Sequence, residues 1–346
     1  MFEPSPRIAQ LLSEPAPPPP ATAIASARAL HLNESPFGPA PLVVEAMQHA
    51  LLQCNRYPDH QGRALCALIA ARNGIAPDRI VVGAGSNELL FISAEICVDP
   101  GDEVVAPVPG FPSFAKSALM RSGTLVGVPC NSAGCVDVDA VLAAITPRTR
   151  LAFVSSPHNP TGGLLTQAEV ERLVHGVPDH VLLHFDEAYY EFGQHAGGCE
   201  TLPLLERRRG AWISTRSFSK AYGMAGARVG YGLTSTPDLA SAYSAARVGF
   251  SANSIALAGA AAAWNDDAAL TTLLNHNAAR HDQLVAGLAP LGYRALPGAA
   301  NFVAFVTPTP ALALQGGLRD QGILVIAFPF PGTDGALRIS MGTEQD

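Results

Sequence analysis

Four apolar runs in this chain each stop abruptly at a polar or glycine-rich turn, and that pattern limits its fold more than any other feature. Arg79–Val82 runs into Gly83-Ala84-Gly85-Ser86, and Leu151–Ser155 into Ser156-Pro157-His158-Asn159-Pro160-Thr161-Gly162. Val181–Asp186 continues as Asp186-Glu187-Ala188-Tyr189, and Trp212–Thr215 leads to Ser217-Phe218-Ser219-Lys220. Further strands are expected at Glu103–Pro107, Thr124–Val128 and Val229–Leu233, with helical patterns between several of them. The alternation predicts an α/β fold with a mostly parallel central sheet covered by helices on both faces. Runs such as Val181-Leu182-Leu183 fit burial on both faces. In such a sheet the carboxyl ends of the strands lie along one edge, where ligands bind. The turns at about 85, 159, 186 and 220 are therefore expected to converge.

Helices are expected at Val43–Leu52, Arg63–Ala71, from Ser86 through Cys97, and at Thr166–His175. In the last of these, Thr166 and Glu169 have capping-box spacing. Beyond residue 250 come two alanine-rich helices, Ser254–Trp264 and Ala268–Leu288. Short strands follow at Tyr293–Leu296, Phe302–Val306, Leu324–Ala327 and Leu337–Ser340. The division expected is an N-terminal arm over residues 1–40, a large domain over 41–250 and a smaller α/β domain over 251–346. The arm's Pro15 and Pro17–Pro20 are polyproline-like. Such a segment does not hold a fold of its own and suits lying across a neighbouring subunit.

Each turn has a chemical reading beside an ordinary one. Gly85 and Ser86 open a helix whose free N–H groups and dipole suit a phosphate, although glycine turns are common. Asn159 sits between two prolines that hold its backbone, as a purely structural turn also would. Asp186 ends a buried strand, where its charge calls for a cation, unless it caps a helix; Glu187 is expected to be structural. Only two of the 22 basic residues are lysines, Lys116 and Lys220. A lysine retained in so arginine-biased a chain points to chemistry arginine cannot do, such as Schiff-base formation. Ser217, Ser219 and Arg228 surround Lys220 with phosphate-binding groups, and Gly223, Gly226 and Gly230 point to close backbone approach.

Other classes are disfavoured. A net charge of −7 and a pI near 5.8 argue against a nucleic-acid surface, and Arg207–Arg209 reads as a solvated helix end. Six cysteines without CxxC pairing read as reduced thiols of a cytoplasmic protein. No HExxH spacing points to a metal; His175, His180 and His184 straddle a helix-to-strand turn. Neither a membrane span nor a signal peptide is expected.

The order Asn-Pro-Thr-Gly, Asp-Glu-Ala-Tyr, Ser-x-Ser-Lys and then Arg resembles that of the fold-type I pyridoxal-phosphate (PLP) aminotransferases, and specifically the histidinol-phosphate aminotransferase branch. Leu32-Asn33-Glu34-Ser35-Pro36-Phe37-Gly38-Pro39, Asn55-Arg56-Tyr57-Pro58-Asp59 and Leu337–Thr343 extend the similarity over about residues 30 to 343. The resemblance implies that Lys220 forms a Schiff base with PLP and then shuttles a proton, while Asp186 pairs with the pyridine nitrogen. It implies that Asn159 and Tyr189 bond the ring hydroxyl and that Phe111 stacks on the ring. Gly85, Ser86, Ser217, Ser219 and Arg228 would hold the phosphate. Arg338 would clamp the substrate carboxylate, with Asn33 near the substrate. Tyr57 would reach the cofactor of a second subunit, implying a homodimer acting on an amino acid and a 2-oxo acid.

The chain departs from that branch in three places. No tyrosine occurs in Pro17–Ala29, where the branch has one that touches the substrate phosphate. An apolar residue replaces the arginine after the late Gly-Ile-x-Val strand, in Gly322-Ile323-Leu324-Val325-Ile326-Ala327-Phe328. The pattern's closing helix after Gly-Thr-Glu is also not seen before Asp346. The first two changes favour an unphosphorylated, aromatic or apolar amino acid, with Ile326, Phe328 and Phe330 around its side chain. The alternatives are histidinol phosphate itself, or a PLP decarboxylase or lyase such as the threonine-phosphate decarboxylase relatives. A PLP-domain transcription regulator would need a basic helix-turn-helix that 30 proline-rich residues do not supply.

Overall fold

The strands expected from the apolar runs form in the computed structural model, which describes residues 4–13 and 27–346. In chain order they are β1 (Arg28–Ala29), β2 (Ile80–Gly83), β3 (Glu103–Val108), β4 (Thr124–Pro129), β5 (Thr149–Ser155), β6 (Leu182–Asp186), β7 (Trp212–Ser217) and β8 (Gly230–Thr234). The C-terminal part adds β9 (Arg294–Ala295), β10 (Phe302–Val306), β11 (Ile323–Leu324), β12 (Ile326–Phe328) and β13 (Ala336–Ser340).

Seven strands make the large sheet, in the order β2-β8-β7-β6-β5-β3-β4. All pairings are parallel except those of β8, which runs antiparallel to both β2 and β7. Every residue of β6, β7 and β8 is buried, as expected of strands covered on both faces. The register aligns Ser155 with Asp186, Asp186 with Thr215, and Gly230 with both Gly83 and Ser217. The carboxyl ends of β2, β5, β6 and β7 therefore share an edge with the start of β8, and the β7–β8 loop on that edge carries both Lys220 and Arg228.

The Thr166 capping box forms ahead of the helix Gln167–Gly176: the Glu169 carboxylate accepts the Thr166 N–H at 2.8 Å. Such a cap contributes about 1 kcal/mol. The small sheet is antiparallel, in the order β12-β13-β10-β9, while β1 pairs in parallel with β11. The single strand expected at Leu324–Ala327 is thus divided, because its first half pairs with the arm and its second with β13.

Several expectations need correcting. Part of the arm does form structure, a helix over Pro6–Ser13 with no buried residue; Pro15–Pro20 lie outside the described residues. Helix Ser254–Trp264 packs on Pro41–Leu51 and buries Ala256, Ala260 and Trp264 in the core of the large sheet, so the two cores do not divide at residue 250. Arg208 is not solvated. It is buried and donates to the carbonyls of Val177, Pro178 and Val181, pinning the entry to β6. Among the described residues no helix is long and apolar enough to cross a membrane.

Candidate active site

The residues expected to hold the cofactor and the substrate carboxylate, Tyr57 apart, line one cavity of about 550 Å³, where the edge of the large sheet meets the arm and β12–β13. At one end the helix Ser86–Cys97 begins without a side-chain cap, so its first N–H groups face the cavity free of intrahelical partners. Two glycines keep that end open. Gly85 has φ +81°, and a Cβ on it would lie 2.6 Å from an Arg228 guanidinium nitrogen. A Cβ on Gly230 would lie 2.3 Å from the Ser86 nitrogen. Arg228, itself left-handed at φ 61°, donates to the carbonyls of Ala225 (2.9 Å) and Ala84 (3.3 Å). It pairs with no carboxylate among the described residues. Ser217 and Ser219 complete this cradle, with the Ser217 hydroxyl accepting the Ser219 N–H at 3.1 Å. A helix start, two hydroxyls and an uncommitted arginine make a phosphate site.

In the middle of the cavity lie Lys220 and Asp186. The Lys220 ammonium donates to the carbonyl of Leu32 at 3.0 Å and sits 5.9 Å from the Tyr189 ring. Burial, aided by Arg338 and Arg228, lowers its pKa to about 8, so a neutral nucleophilic amine is accessible. Asp186 is buried; the Thr215 hydroxyl and the Ala188 N–H both donate to its Oδ1 at 3.2 Å. Its Oδ2 takes no hydrogen bond among the described residues, and burial raises its pKa to about 7. A carboxylate held this way lacks a cation within ion-pair distance.

At the other end, Arg338 on β13 donates to Asn159 Oδ1 and to the carbonyl of His31, both at 2.5 Å. Its guanidinium is buried, with Nε unpartnered and no carboxylate paired to it among the described residues. A buried guanidinium without a counter-ion is costly, and a ligand carboxylate would supply one. Tyr189 is buried against Phe302, and its hydroxyl accepts from the Asn33 amide at 2.8 Å.

Asn33, left-handed at φ 54°, lines the cavity; Ser340 and Asn301 lock it, and its side-chain amide donates to the Tyr189 hydroxyl. One expected placement changes. Of the three residues expected around the substrate side chain, only Ile326 lines this cavity. Phe328, which ends β12, and Phe330 just beyond it are buried with Leu296, Ala304 and Ala336 in the small domain's own core. Tyr57 is 83% exposed and stacks on Phe250 at 4.6 Å, away from the cavity of its own chain. Sequence reasoning missed His184. It is fully buried on β6, two positions before Asp186, and bonds Thr215 at 2.9 Å. Its place in a strand of period two, on the same face as Asp186, was the available signal.

A phosphate cradle, a lysine of lowered proton affinity, a carboxylate awaiting a cation and an arginine awaiting an anion define an enzyme that handles amino or oxo acids through a bound phosphorylated cofactor. The chain belongs to the aminotransferase class I and II family, whose model matches residues 29–346. It is 38% identical over 323 residues to a histidinol-phosphate aminotransferase of Ruegeria pomeroyi, covering 93% of this chain and 88% of the relative. It is also 36% identical over 314 residues to histidinol-phosphate aminotransferase 2 of Nitrosospira multiformis, covering 91% and 79%. Among solved structures, a histidinol-phosphate aminotransferase from Sinorhizobium meliloti in complex with pyridoxal-5'-phosphate matches with a TM-score of 0.90 at 31% identity, over 98% of this chain and 93% of that one. The residues present fit that group: the cradle would take the phosphate, Lys220 the aldehyde carbon, and the free Oδ2 of Asp186 the ring nitrogen.

Asp186 gives this fit a pH signature. Its pKa is raised from 3.8 to about 7 in the cofactor-free fold, so the proton it holds stabilises the fold at low pH. That stabilisation is complete below pH 3.8 and is lost as pH rises through 7. A cationic ring nitrogen offsets the loss. The gain in Tm on adding the cofactor is therefore expected to grow between about pH 4 and 7, read by thermal melts of stripped and reloaded protein. A gain that is flat across this range counts against the pairing.

Proposed function

We propose that this chain transfers the amino group of an unphosphorylated L-amino acid with an apolar or aromatic side chain to a 2-oxo acid such as 2-oxoglutarate. The enzyme is a PLP-dependent aminotransferase, and its cofactor, when bound, supplies the electron sink for loss of the substrate Cα proton. Lys220 takes that proton and returns it at the cofactor's C4′ carbon. Asp186 holds the ring nitrogen in its protonated form. Asn159, whose Oδ1 is committed to Arg338, has its amide N–H groups for the ring hydroxyl, and Tyr189 donates to the same oxygen. Phe111 covers one ring face. Gly85, Ser86, Ser217, Ser219 and Arg228 anchor the phosphate, and Arg338 orients the substrate through its α-carboxylate.

The inventory of cations carries the choice of substrate. Besides Lys220, Arg228 and Arg338, each assigned above, no lysine or arginine lines the cavity among the described residues. Residues 1–3 and 14–26 contain neither. A second phosphate dianion therefore finds no further lysine or arginine among the described lining residues, whereas Ile326 offers apolar surface. Phenylalanine or another unphosphorylated donor is expected to convert the bound cofactor to its amine form, with histidinol phosphate inert. Ile326→Arg is expected to raise kcat/KM for histidinol phosphate by about tenfold or more, at the scale of one charge-assisted hydrogen bond. Strong wild-type preference for histidinol phosphate overturns the substrate assignment, and carbon dioxide release in place of keto acid makes the enzyme a decarboxylase.

Tyr57 and Phe250 stack on each other in the open, and Val248 nearby in sequence is also exposed. A second copy of the chain covering the stacked pair would bring Tyr57 to the partner's cofactor. Sedimentation at micromolar concentration is expected to give a dimer, and a monomer with full activity rejects it. We place the enzyme in the cytoplasm, in keeping with its six free cysteines.

A further inference from the structure

Behind Asp186 lies a line of buried hydroxyls and one imidazole that the reaction as described leaves unused. Thr215 Oγ1 is 3.2 Å from Asp186 Oδ1 and 2.9 Å from His184 Nε2. His184 Nδ1 is 2.5 Å from Ser93 Oγ, which is 2.5 Å from the Tyr243 hydroxyl. All five residues are buried, and they come from β6, β7 and the helices Ser86–Cys97 and Pro237–Ala246. His184 also packs against Phe153, with ring centroids 5.1 Å apart.

An ionised Asp186 can only accept, so the Thr215 hydroxyl must donate to it. Thr215 then accepts from His184 Nε2–H, which leaves Nδ1 to accept from Ser93, and Ser93 to accept from Tyr243. Every donor points toward the carboxylate. A second arrangement is available, because Ser93 Oγ also lies 3.0 Å from the carbonyl of Leu89. If Ser93 directs its proton there, His184 carries its own on Nδ1, Thr215 donates to Nε2, and Asp186 loses its side-chain donor. The imidazole tautomer is thereby tied to the charge on Asp186.

We propose that Tyr243, Ser93, His184 and Thr215 form a proton-ordering chain in which His184 is a positioning residue: it fixes Thr215 as a donor to Asp186 and so keeps the cofactor's proton on the ring nitrogen. The inference rests on PLP being the cofactor. The chain itself is uncharged near neutral pH. Burial lowers the His184 pKa to about 3, raises that of the Tyr243 hydroxyl, and pushes the Cys97 thiol facing Tyr243 up to about 12. The charged groups acting on Asp186 are Glu187 beside it and Lys220 across the cavity.

Without its donors the Asp186 carboxylate becomes more basic and draws the proton off the ring nitrogen. The ring then withdraws fewer electrons from the nitrogen joined to Lys220, which keeps its proton to higher pH. The test uses holoenzyme carrying His184→Leu, Thr215→Val or Ser93→Ala. Two quantities are read: the pH midpoint of the visible band of the bound cofactor, and the rate of cofactor release after dilution. All three midpoints are expected to move upward, Ser93→Ala the least. Release is expected to quicken roughly tenfold for His184→Leu and Thr215→Val, at the scale of one hydrogen bond to a charged group. The proposal is overturned if Thr215→Val shifts the midpoint while His184→Leu and Ser93→Ala, folded and loaded, match the wild type. Should His184→Leu fail to fold, Ser93→Ala and Tyr243→Phe decide the matter, since each removes a donor and little volume. Absence of any Lys220-dependent band in the wild-type enzyme overturns the cofactor reading instead.

Discussion

Lys220→Ala is expected to lower kcat/KM by roughly three to four orders of magnitude, the scale of a positioned acid–base group, and to abolish the visible band of the lysine-bound cofactor. No other side chain can take over. The second lysine, Lys116, is exposed on the helix Pro112–Met120 and does not line the cavity. The fold should survive, because Lys220 sits among Arg228 and Arg338, both of which act to lower its pKa. Removing a cation from that company leaves no anion orphaned in an ion pair. The melting temperature of the cofactor-free variant is expected to match or exceed that of the wild type, read beside steady-state rates and the absorbance spectrum. Near-normal turnover, or a band that persists unchanged, would remove Lys220 from the chemistry.

Arg338→Ala is expected to cost about 2–5 kcal/mol of substrate binding, as for one partner of a buried charge pair, which is roughly 30- to 5,000-fold in kcat/KM and falls mainly on KM. Arg338→Lys should recover only part of this, because an ammonium keeps the charge but loses the planar fork. Arg338 also holds Asn159 Oδ1 and the His31 carbonyl, so some loss in kcat accompanies the alanine variant. A KM unchanged for every amino acid tested would mean that the carboxylate binds elsewhere.

Most of the site could be read from sequence because its residues belong to strand ends. The continuous apolar runs of β2, β5, β6 and β7, buried on both faces, are a local property, and a parallel sheet brings their carboxyl ends to one edge whatever the details of packing. Arg338 and Tyr57 were accessible only through resemblance, since neither follows a strand of the large sheet. What escaped depended on contacts distant in sequence. Ser93 meets His184 across 91 residues and Tyr243 meets Ser93 across 150, and nothing in a strand's own pattern names its partners. The bond from Asn33 to Tyr189 escaped because only a left-handed backbone at Asn33 brings its amide to the phenol. Arg208 looked solvated because its acceptors are backbone carbonyls, which have no composition to read. The helix Ser254–Trp264 was assigned to the small domain from its place along the chain, while its alanines fit closely against Pro41–Leu51.

Arg338 stands on the small sheet, yet its hydrogen bonds go to Asn159 from the large sheet's edge and to His31 from the arm. The carboxylate clamp is thus a rivet through three separate stretches of chain. On the proposed roles, a molecule that engages the cofactor at Lys220 with its amine and Arg338 with its carboxylate would span the seam between the two sheets as a strut. Simple amines and simple acids would each grip one side only and leave the seam unbraced, so an amino acid would be recognised partly by its ability to carry load between both halves.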